Sequence, residues 1–346
     1  MALFYDLRKD QHIQDSVTIS DGRGMSACIL TFGATLQRLN VPDADGEIRD
    51  VVLGYDTTAA YDMQNGYLGA VVGRVANRIK DACYFMNGRR YNLEANKEYG
   101  MLHGGPVGFS YKEWNVIRRD SRSVQLRLLS PDGDQGFPGN LKVDVLYTME
   151  ERGELTIRYH AETDFDTPVN LTNHSYFNLD GQGGSTVDDH QLMLAARRYT
   201  PSDDDLVPTG AVDPVGGTPL DFASFKRLGD VLHLPELSKT KGLDHNFVLS
   251  AACEGGAEPA AVLKGAHSGI RMEVLTDRPA IQVYSSGGLS ERAGKDGTMY
   301  GPFYGICLET QGYPDALHHM NFPSVMLRAG ESFDSFTTFR FKTGEE

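Results

Sequence analysis

The sequence has little cysteine, little helical periodicity and no concentrated positive charge, and each shortage closes off a class of protein. Its four cysteines, Cys28, Cys83, Cys253 and Cys307, are scattered over 346 residues. They are too few to staple a chain of this size and too far apart for a CxxC zinc knuckle, which predicts reduced thiols used in packing. No run of Lys or Arg relieves a formal net charge of −14, so neither nucleic acid nor an anionic membrane surface is an expected partner. No apolar stretch is long enough to span a membrane, and the opening residues MALFYDLRKDQHIQD hold no signal-peptide core. The expected compartment is the cytoplasm. Two N-x-[ST] sequons, at Asn170 and Asn173, agree with it, because a glycan there would obstruct the most polar stretch of the chain.

Several chemical signatures are also missing. No GxGxxG follows a strand-like run, and GxxxxGK[ST], HExxH and GxSxG do not occur, which leaves a nucleotide fold, a zincin and a serine hydrolase without support. The adjacent pair His318-His319 has no third ligand at suitable spacing, so both are expected at the surface and no metal is predicted. Nothing implies a cofactor.

What the chain does have is alternation with a period of two. Apolar residues recur at Val124, Leu126, Leu128; Leu141, Val143, Val145, Tyr147; Leu155, Ile157, Tyr159; Ile270, Met272, Val274; and Phe339, Phe341. Each run is short and ends in turn formers such as DGRG, SPDGDQGFPGN, ERGE and GGLSERAGKDG, and helical patterning is confined to a turn or two near TTAAYDMQ and RLGDVLHL. The reading is an all-β protein, a large antiparallel β-sandwich or barrel with very little helix. No repeat or Pro/Ser-rich linker divides it, so residues 1–346 are expected to form a single domain.

Three of the expected strands carry an unusual face. If VNLTNHSYFNL is extended, parity puts Asn170, Thr172, His174, Tyr176 and Asn178 on one side: five hydrogen-bonding groups with no formal charge apart from the imidazole. A solvated face would normally contain Lys or Glu, whereas a neutral hydroxylated ligand calls for directional donors and acceptors beside an aromatic body. A buried polar strand satisfied by loops would read the same way on this stretch alone. In YGICLETQGYPD, Glu309 falls mid-strand among apolar residues, where desolvation raises a carboxyl toward the range of a general base; pairing with an Arg across the sheet is the alternative. AIQVYSSGG repeats the pattern with Gln282 and Tyr284.

Further candidates lie in turns. GRVANRIK offers Asn77 and Arg78, with Arg74 and Lys80 expected in surface ion pairs; MLHGG puts His103 before two glycines, a place for a sharp turn or a close approach. LDHNFVL supplies Asp244, a cap or turn residue or a clamp for two hydroxyls, while His245 is expected to be structural.

The segments GRVANRI, LHGG followed by GFSYKEW, SPDGDQGFPGNL, TPVNLTNHSYFNLDG, VPTG, TPLDF, LDHNFVL and LETQGYPDALHHMNFPSVML together resemble the aldose 1-epimerase (galactose mutarotase) family, in the family's order over roughly residues 70 to 330. The resemblance implies that family's antiparallel β-supersandwich and the interconversion of α and β anomers of free aldohexoses such as galactose and glucose. It implies Glu309 as general base, His174 as general acid, and His103 as a contact near the reacting centre. Asn77, Arg78, Tyr176, Asp244 and Gln282 would hold ring hydroxyls or position Glu309. The loop ALHHMNFPS departs from the more Pro- and Asn-rich sequence of many relatives, which bears on sugar preference.

On that reading Glu309 begins as carboxylate and His174 as imidazolium, so activity against pH is expected to be bell-shaped. The expected partner is a small monosaccharide, acted on by a monomer or homodimer. Three rivals stand beside it: a hexose-6-phosphate 1-epimerase, which needs converging cations; a glycosidase built on Glu309 and Asp244; and a non-catalytic sugar-binding protein on the same fold.

Overall fold

A computed structural model describes residues 16–63, 66–151 and 153–344. The N-terminal stretch read above for targeting, and Arg152 of the ERGE turn, lie outside the described residues. Every alternating run named above forms a strand whose apolar positions are buried. Three sheets dominate. A nine-stranded sheet has the spatial order Asn115–Arg119, Ser123–Ser130, Leu141–Glu150, Glu154–Thr163, Ser332–Thr343, Ile270–Thr276, Ala261–Lys264, Gln191–Leu194, Lys226–Arg227. A six-stranded sheet runs Tyr176–Phe177, Ile306–Gln311, Ala280–Tyr284, Asp244–Leu249, Ala196–Thr200, Asp213–Pro214. A four-stranded sheet covers Ser16–Ser20 to Ile48–Asp50. The paired strands are antiparallel throughout these sheets. The described α-helices, Thr58–Met63 and Gly229–Leu232, are short and fall where the helical patterning put them.

The two larger sheets pack face to face. Val145, Ile157, Val274 and Phe339 of the first meet Phe177, Val283, Ile306 and Leu308 of the second in one hydrophobic cluster that also draws in Ile19 and Leu36 of the third sheet. The rings of Phe177 and Phe339 are 4.8 Å apart, and Thr310 meets Thr337 hydroxyl to hydroxyl at 2.5 Å across the same interface. Side chains alternate along a strand. With Ile306, Leu308 and Thr310 turned toward the nine-stranded sheet, Cys307, Glu309 and Gln311 must turn the other way. That outward side is not solvated: all six residues of the strand are buried, Cys307 in a cluster with Leu53, Tyr55 and Tyr300, and Glu309 beneath the segment around Arg78–Lys80 and Gly100–Leu102, itself an antiparallel pair. The functional cleft lies between that cover and the outward face of the six-stranded sheet.

Two expectations fail here. The run VNLTNHSYFNL is not one strand. Ladder pairing joins Thr172–Asn173 to Val71–Val72 and Tyr176–Phe177 to Cys307 and Ile306, with single bridges from Asn170 to Val75 and from Phe177 to Val52. Between them the Asn173 carboxamide oxygen accepts from the Ser175 amide at 3.1 Å and its hydroxyl at 2.6 Å, turning the chain. Only His174 and Tyr176 of the five-residue polar face reach the cleft. Asn170 exchanges hydrogen bonds with the backbone of Gly312, Asn178 donates to the carbonyls of Ser185 and Tyr304, and Thr172 is buried. Where the ladder is interrupted, these amides supply the partners that buried backbone groups require.

Arg74 is the second. It is buried, not in a surface ion pair: its guanidinium donates to the carbonyls of Ser130, Pro131, Pro138 and Gly139 and to the hydroxyls of Ser130 and Thr167, all within 2.8–3.1 Å. Burial pushes its pKa down to about 10. It serves as the internal scaffold of the SPDGDQGFPGN loop. Lys80 does make the surface pair, with Asp203 at 3.2 Å.

Candidate active site

The cleft has a volume of about 240 Å³, room for one small ligand, and its wall includes all eight residues to which the family resemblance assigned a role: Asn77, Arg78, His103, His174, Tyr176, Asp244, Gln282 and Glu309. They arrive from well-separated parts of the chain. Glu309 stands mid-strand with Gln282 directly across the ladder, so an uncharged amide and not an Arg is its cross-strand neighbour. Gln282 donates to Asp244 Oδ1 at 2.5 Å, and Asp244 Oδ2 lies 3.4 Å from the Arg78 guanidinium. Asp244 thereby ties the covering segment to the sheet. Arg78 is fixed further by Asn77 Oδ1, which accepts from its backbone amide and from its Nη1.

His103 is placed by backbone geometry. It sits at φ +51°, followed by Gly104 at φ +83°, and a Cβ on Gly104 would lie 1.9 Å from the Gly73 carbonyl oxygen. The predicted close approach is therefore real, and only glycine permits it. The Asn77 amide donates to His103 Nδ1 at 3.2 Å, which leaves Nε2 to carry the proton in the neutral ring. Burial, with His174, Arg78 and Lys97 nearby, holds the pKa of His103 well below that of a free imidazole. It is a neutral donor, not a cation.

His174 Nε2 lies 3.7 Å from Glu309 Oε1, and both side chains are about 95% or more shielded from solvent. The His174 backbone is locked to the 69–70 segment: its amide donates to the Ala70 carbonyl and its carbonyl accepts from the Gly69 amide, both at 2.9 Å. Desolvation drives the two titrations in opposite senses. It lowers His174 to about 4, against weaker support for the cation from its own backbone and Asp244. It raises Glu309 well above the usual carboxylate range, with Asp244 adding to the rise and Arg78 opposing it. Burial thus favours protonated Glu309 beside neutral His174, which differs from the ionised pair expected from the sequence. Both forms hold one proton between two groups, and a single transfer over this contact interconverts them.

Glu309 Oε2, His174 Nδ1 and Gln282 Oε1 are buried with no hydrogen-bond partner among the described residues. Such groups are costly unless something satisfies them, and a polyhydroxylated ligand carries the complementary donors and acceptors. Tyr176 behaves differently from the hydroxyl contact expected of it: its phenol donates to the Gly66 carbonyl at 2.8 Å while its ring lies against His174, 5.0 Å away and tilted 18°. The wall also contains Gly66, Tyr67, Lys97 and Leu102, which the sequence did not reveal, and Tyr284, which it had placed beside Gln282. Tyr67 and Lys97 sit in loops with no periodicity to show where they point.

The remaining titratable candidates lie elsewhere. His318 and His319 both approach the buried Asp315, with Nδ1 of the first 2.6 Å from Oδ1 and Nε2 of the second 3.4 Å from Oδ2. His319 is half-buried, against the expectation of a surface residue, because it packs on Phe322. His245 Nδ1 accepts from the Asp244 amide and its ring is held neutral by burial, as befits a structural role. Cys83, Cys253 and Cys307 are buried free thiols and Cys28 is half-buried.

The chain is similar in sequence and in fold to several known proteins. Galactose mutarotase of Homo sapiens is 43% identical over 314 residues, 90% of each chain, and aldose 1-epimerase of Escherichia coli K12 is 36% identical over 328 residues, 94% of each. Among solved structures, the GalM/aldose epimerase homologue of C. elegans superposes with a TM-score of 0.88 at 34% identity, covering 95% of this chain and 99% of the other. Galactose 1-epimerase of Lactobacillus acidophilus gives 0.82 at 29% identity, with 95% coverage of both. The sequence profile of the aldose 1-epimerase family matches residues 15–340, so this chain belongs to the aldose 1-epimerase family.

Proposed function

We propose that the protein is a mutarotase that interconverts the α and β anomers of free aldohexoses such as D-galactose and D-glucose. The observation that carries this reading is the 3.7 Å contact of His174 with Glu309 at the floor of a cleft sized for one monosaccharide. In a pyranose the hydroxyl that must lose a proton and the ring oxygen that must gain one are bonded to the same carbon, C1. A base and an acid that serve both must therefore stand close together.

In the ring-opening step the Glu309 carboxylate takes the O1 proton while His174 delivers its proton to the ring oxygen O5. The C1–O5 bond breaks, its electron pair goes to O5, and C1=O1 forms. Rotation about C1–C2 presents the other face of the aldehyde; O5 then attacks C1, His174 recovers its proton and Glu309 returns one to O1. Each positioned proton transfer contributes roughly 10²–10⁴-fold. Hydrogen bonds from sugar hydroxyls to Glu309 favour its carboxylate and so draw the shared proton to His174. Asp244, Arg78, Asn77 and Gln282 form the hydroxyl-binding array, and His103 Nε2–H is a neutral donor to the reacting oxygens.

The rivals fit the geometry less well. A 6-phosphate substrate calls for converging cations, but Arg74 is buried in the neighbouring loop and Lys80 pairs with Asp203, so the cleft wall holds only Lys97 and an Arg78 already engaged by Asp244. A glycosidase would need Asp244 as a free second carboxyl, and both its oxygens already have protein partners. A non-catalytic sugar binder has no use for a buried acid/base pair. We further infer a cytoplasmic protein working as one domain over residues 1–346, as monomer or homodimer; no helix among the described residues is long and apolar enough to cross a membrane.

Polarimetry of freshly dissolved α-D-galactose and α-D-glucose tests the proposal. The protein is expected to speed the approach to equilibrium rotation, and a rate equal to that of buffer would remove it.

A further inference from the structure

Nothing in the sequence singled out Tyr67, yet its ring lies beside both histidines of the cleft. Its centroid is 4.6 Å from His103 and 5.9 Å from His174, and its plane is tilted only 21° from the His174 imidazole. Tyr176 gives the same imidazole a second near-parallel ring at 5.0 Å. The two tyrosines are mechanically joined, since the Tyr176 phenol donates to the Gly66 carbonyl next to Tyr67. Tyr67 itself is held at φ +57°, a conformation a bulky residue adopts only where its surroundings enforce it. The Ala70 amide closes the turn onto the Tyr67 carbonyl at 3.0 Å, and the same Ala70 receives the His174 amide.

We propose that Tyr67 is a positioning residue for the reaction: with Tyr176 it presents aromatic faces to His174 that stabilise the imidazolium formed during turnover and keep Nε2 directed at Glu309. The proposal rests on the mutarotase reading above and deepens it. A protonated imidazole in this pocket meets Glu309 at 3.7 Å, the edges of His103 and Tyr284, the faces of Tyr67 and Tyr176, and the field of Asp244. Buried groups of this kind disfavour an unpaired cation, whereas an aromatic face within about 6 Å attracts one through its quadrupole. Tyr67 therefore offsets part of the desolvation that would otherwise keep His174 from carrying its proton.

The test uses the full-length protein with Tyr67→Phe, Tyr67→Leu and a series in which the phenylalanine at 67 bears one, two and three fluorines, which weaken the ring quadrupole at nearly constant shape. Mutarotation kinetics and NMR titration of the His174 ring are both recorded. Tyr67→Phe is expected to keep kcat within about twofold, and Tyr67→Leu to lose roughly 2- to 30-fold in kcat with KM little changed. The His174 titration should move down in Tyr67→Leu, and log kcat should fall steadily with fluorination. A flat fluorine series, or an unmoved His174 titration in Tyr67→Leu, would overturn the proposal, and the fluorinated proteins answer even if Tyr67→Leu does not fold. A wild-type protein that does not accelerate mutarotation sinks the functional reading instead, while the titration of His174 still decides whether Tyr67 stabilises its cation.

Discussion

At the scale of single residues, the pair Glu309 and His174 sets the expected pH behaviour. One proton is shared between them over a window bounded below by protonation of His174 and above by loss of the proton that burial keeps on Glu309. Activity should therefore be bell-shaped, with its acid limb near pH 4 and its alkaline limb well above the ordinary carboxylate range, whichever partner holds the proton. An acid limb near pH 6.5 would contradict the burial of His174 seen here. Linkage gives a second readout. Unfolding at pH values between the ordinary carboxylate and imidazole pKa values, 4.5 and 6.5, moves the proton from Glu309 to His174 without changing the count, so this pair makes stability flat there. Below that window the unfolded chain binds the extra proton and the pair's contribution falls as pH falls; above it the folded chain binds the extra proton and the contribution falls as pH rises. In Glu309→Gln and His174→Asn, kcat should drop by at least about 10²-fold each, read by polarimetry with circular dichroism as the control on folding. Retained rate in both would move the chemistry elsewhere in the cleft.

At the scale of elements, two loops are held by side chains that the period-two pattern does not describe. Removing the guanidinium in Arg74→Met would leave the carbonyls of Ser130, Pro131, Pro138 and Gly139 without their donor. A loss on the order of 4 kcal/mol in urea unfolding is expected, since an unpaired buried polar group costs about 1–3 kcal/mol and water can reach part of the loop. A change below about 1 kcal/mol would mean the loop repacks freely. Gly104→Ala is expected to displace the turn that carries His103, because its new methyl meets the Gly73 carbonyl. The prediction is a fall in kcat/KM for galactose of more than tenfold, together with a downward shift in Tm; unchanged kinetics would show that His103 is dispensable. In both loops the sequence announced a turn through its Gly and Pro content. Which residue the turn would present to the cleft was a matter of φ angles and distant carbonyls.

At the scale of the whole molecule, the acid/base pair is only as firm as the packing of the six-stranded sheet on the nine-stranded one. Phe177, in the strand that carries Tyr176, is 1% exposed and meets Phe339 across that interface. Phe177→Ala should cost about 3–5 kcal/mol through lost burial and a cavity, read from the urea midpoint. A smaller loss would mean that the two sheets close over the gap. Much of this architecture was readable beforehand. The alternation at Leu141 to Tyr147 and Leu155 to Tyr159 marked one-face burial, and Glu309 stood out as a carboxyl among strand residues. Strand parity and turn context marked His174, Gln282, Asn77, Arg78, His103 and Asp244 as candidates, and the motif resemblance then gave them roles. The polar face of residues 170–178 was overread: an Asn reads the same whether it meets a ligand or a backbone carbonyl, and only the fold puts Gly312 beside Asn170 and Tyr304 beside Asn178.

The sequence by itself determined the strand-rich class, the family and the side chains able to donate, accept or carry a proton, because periodicity and residue chemistry are local properties of the chain. Tertiary structure decided which of those side chains share a cleft, that Arg74 is buried, that Tyr67 lies against two histidines, and that burial shifts Glu309 and His174 in opposite directions. Those outcomes depend on contacts between residues dozens to hundreds of positions apart and on how completely neighbours exclude water, and neither quantity is written in any single stretch of the chain.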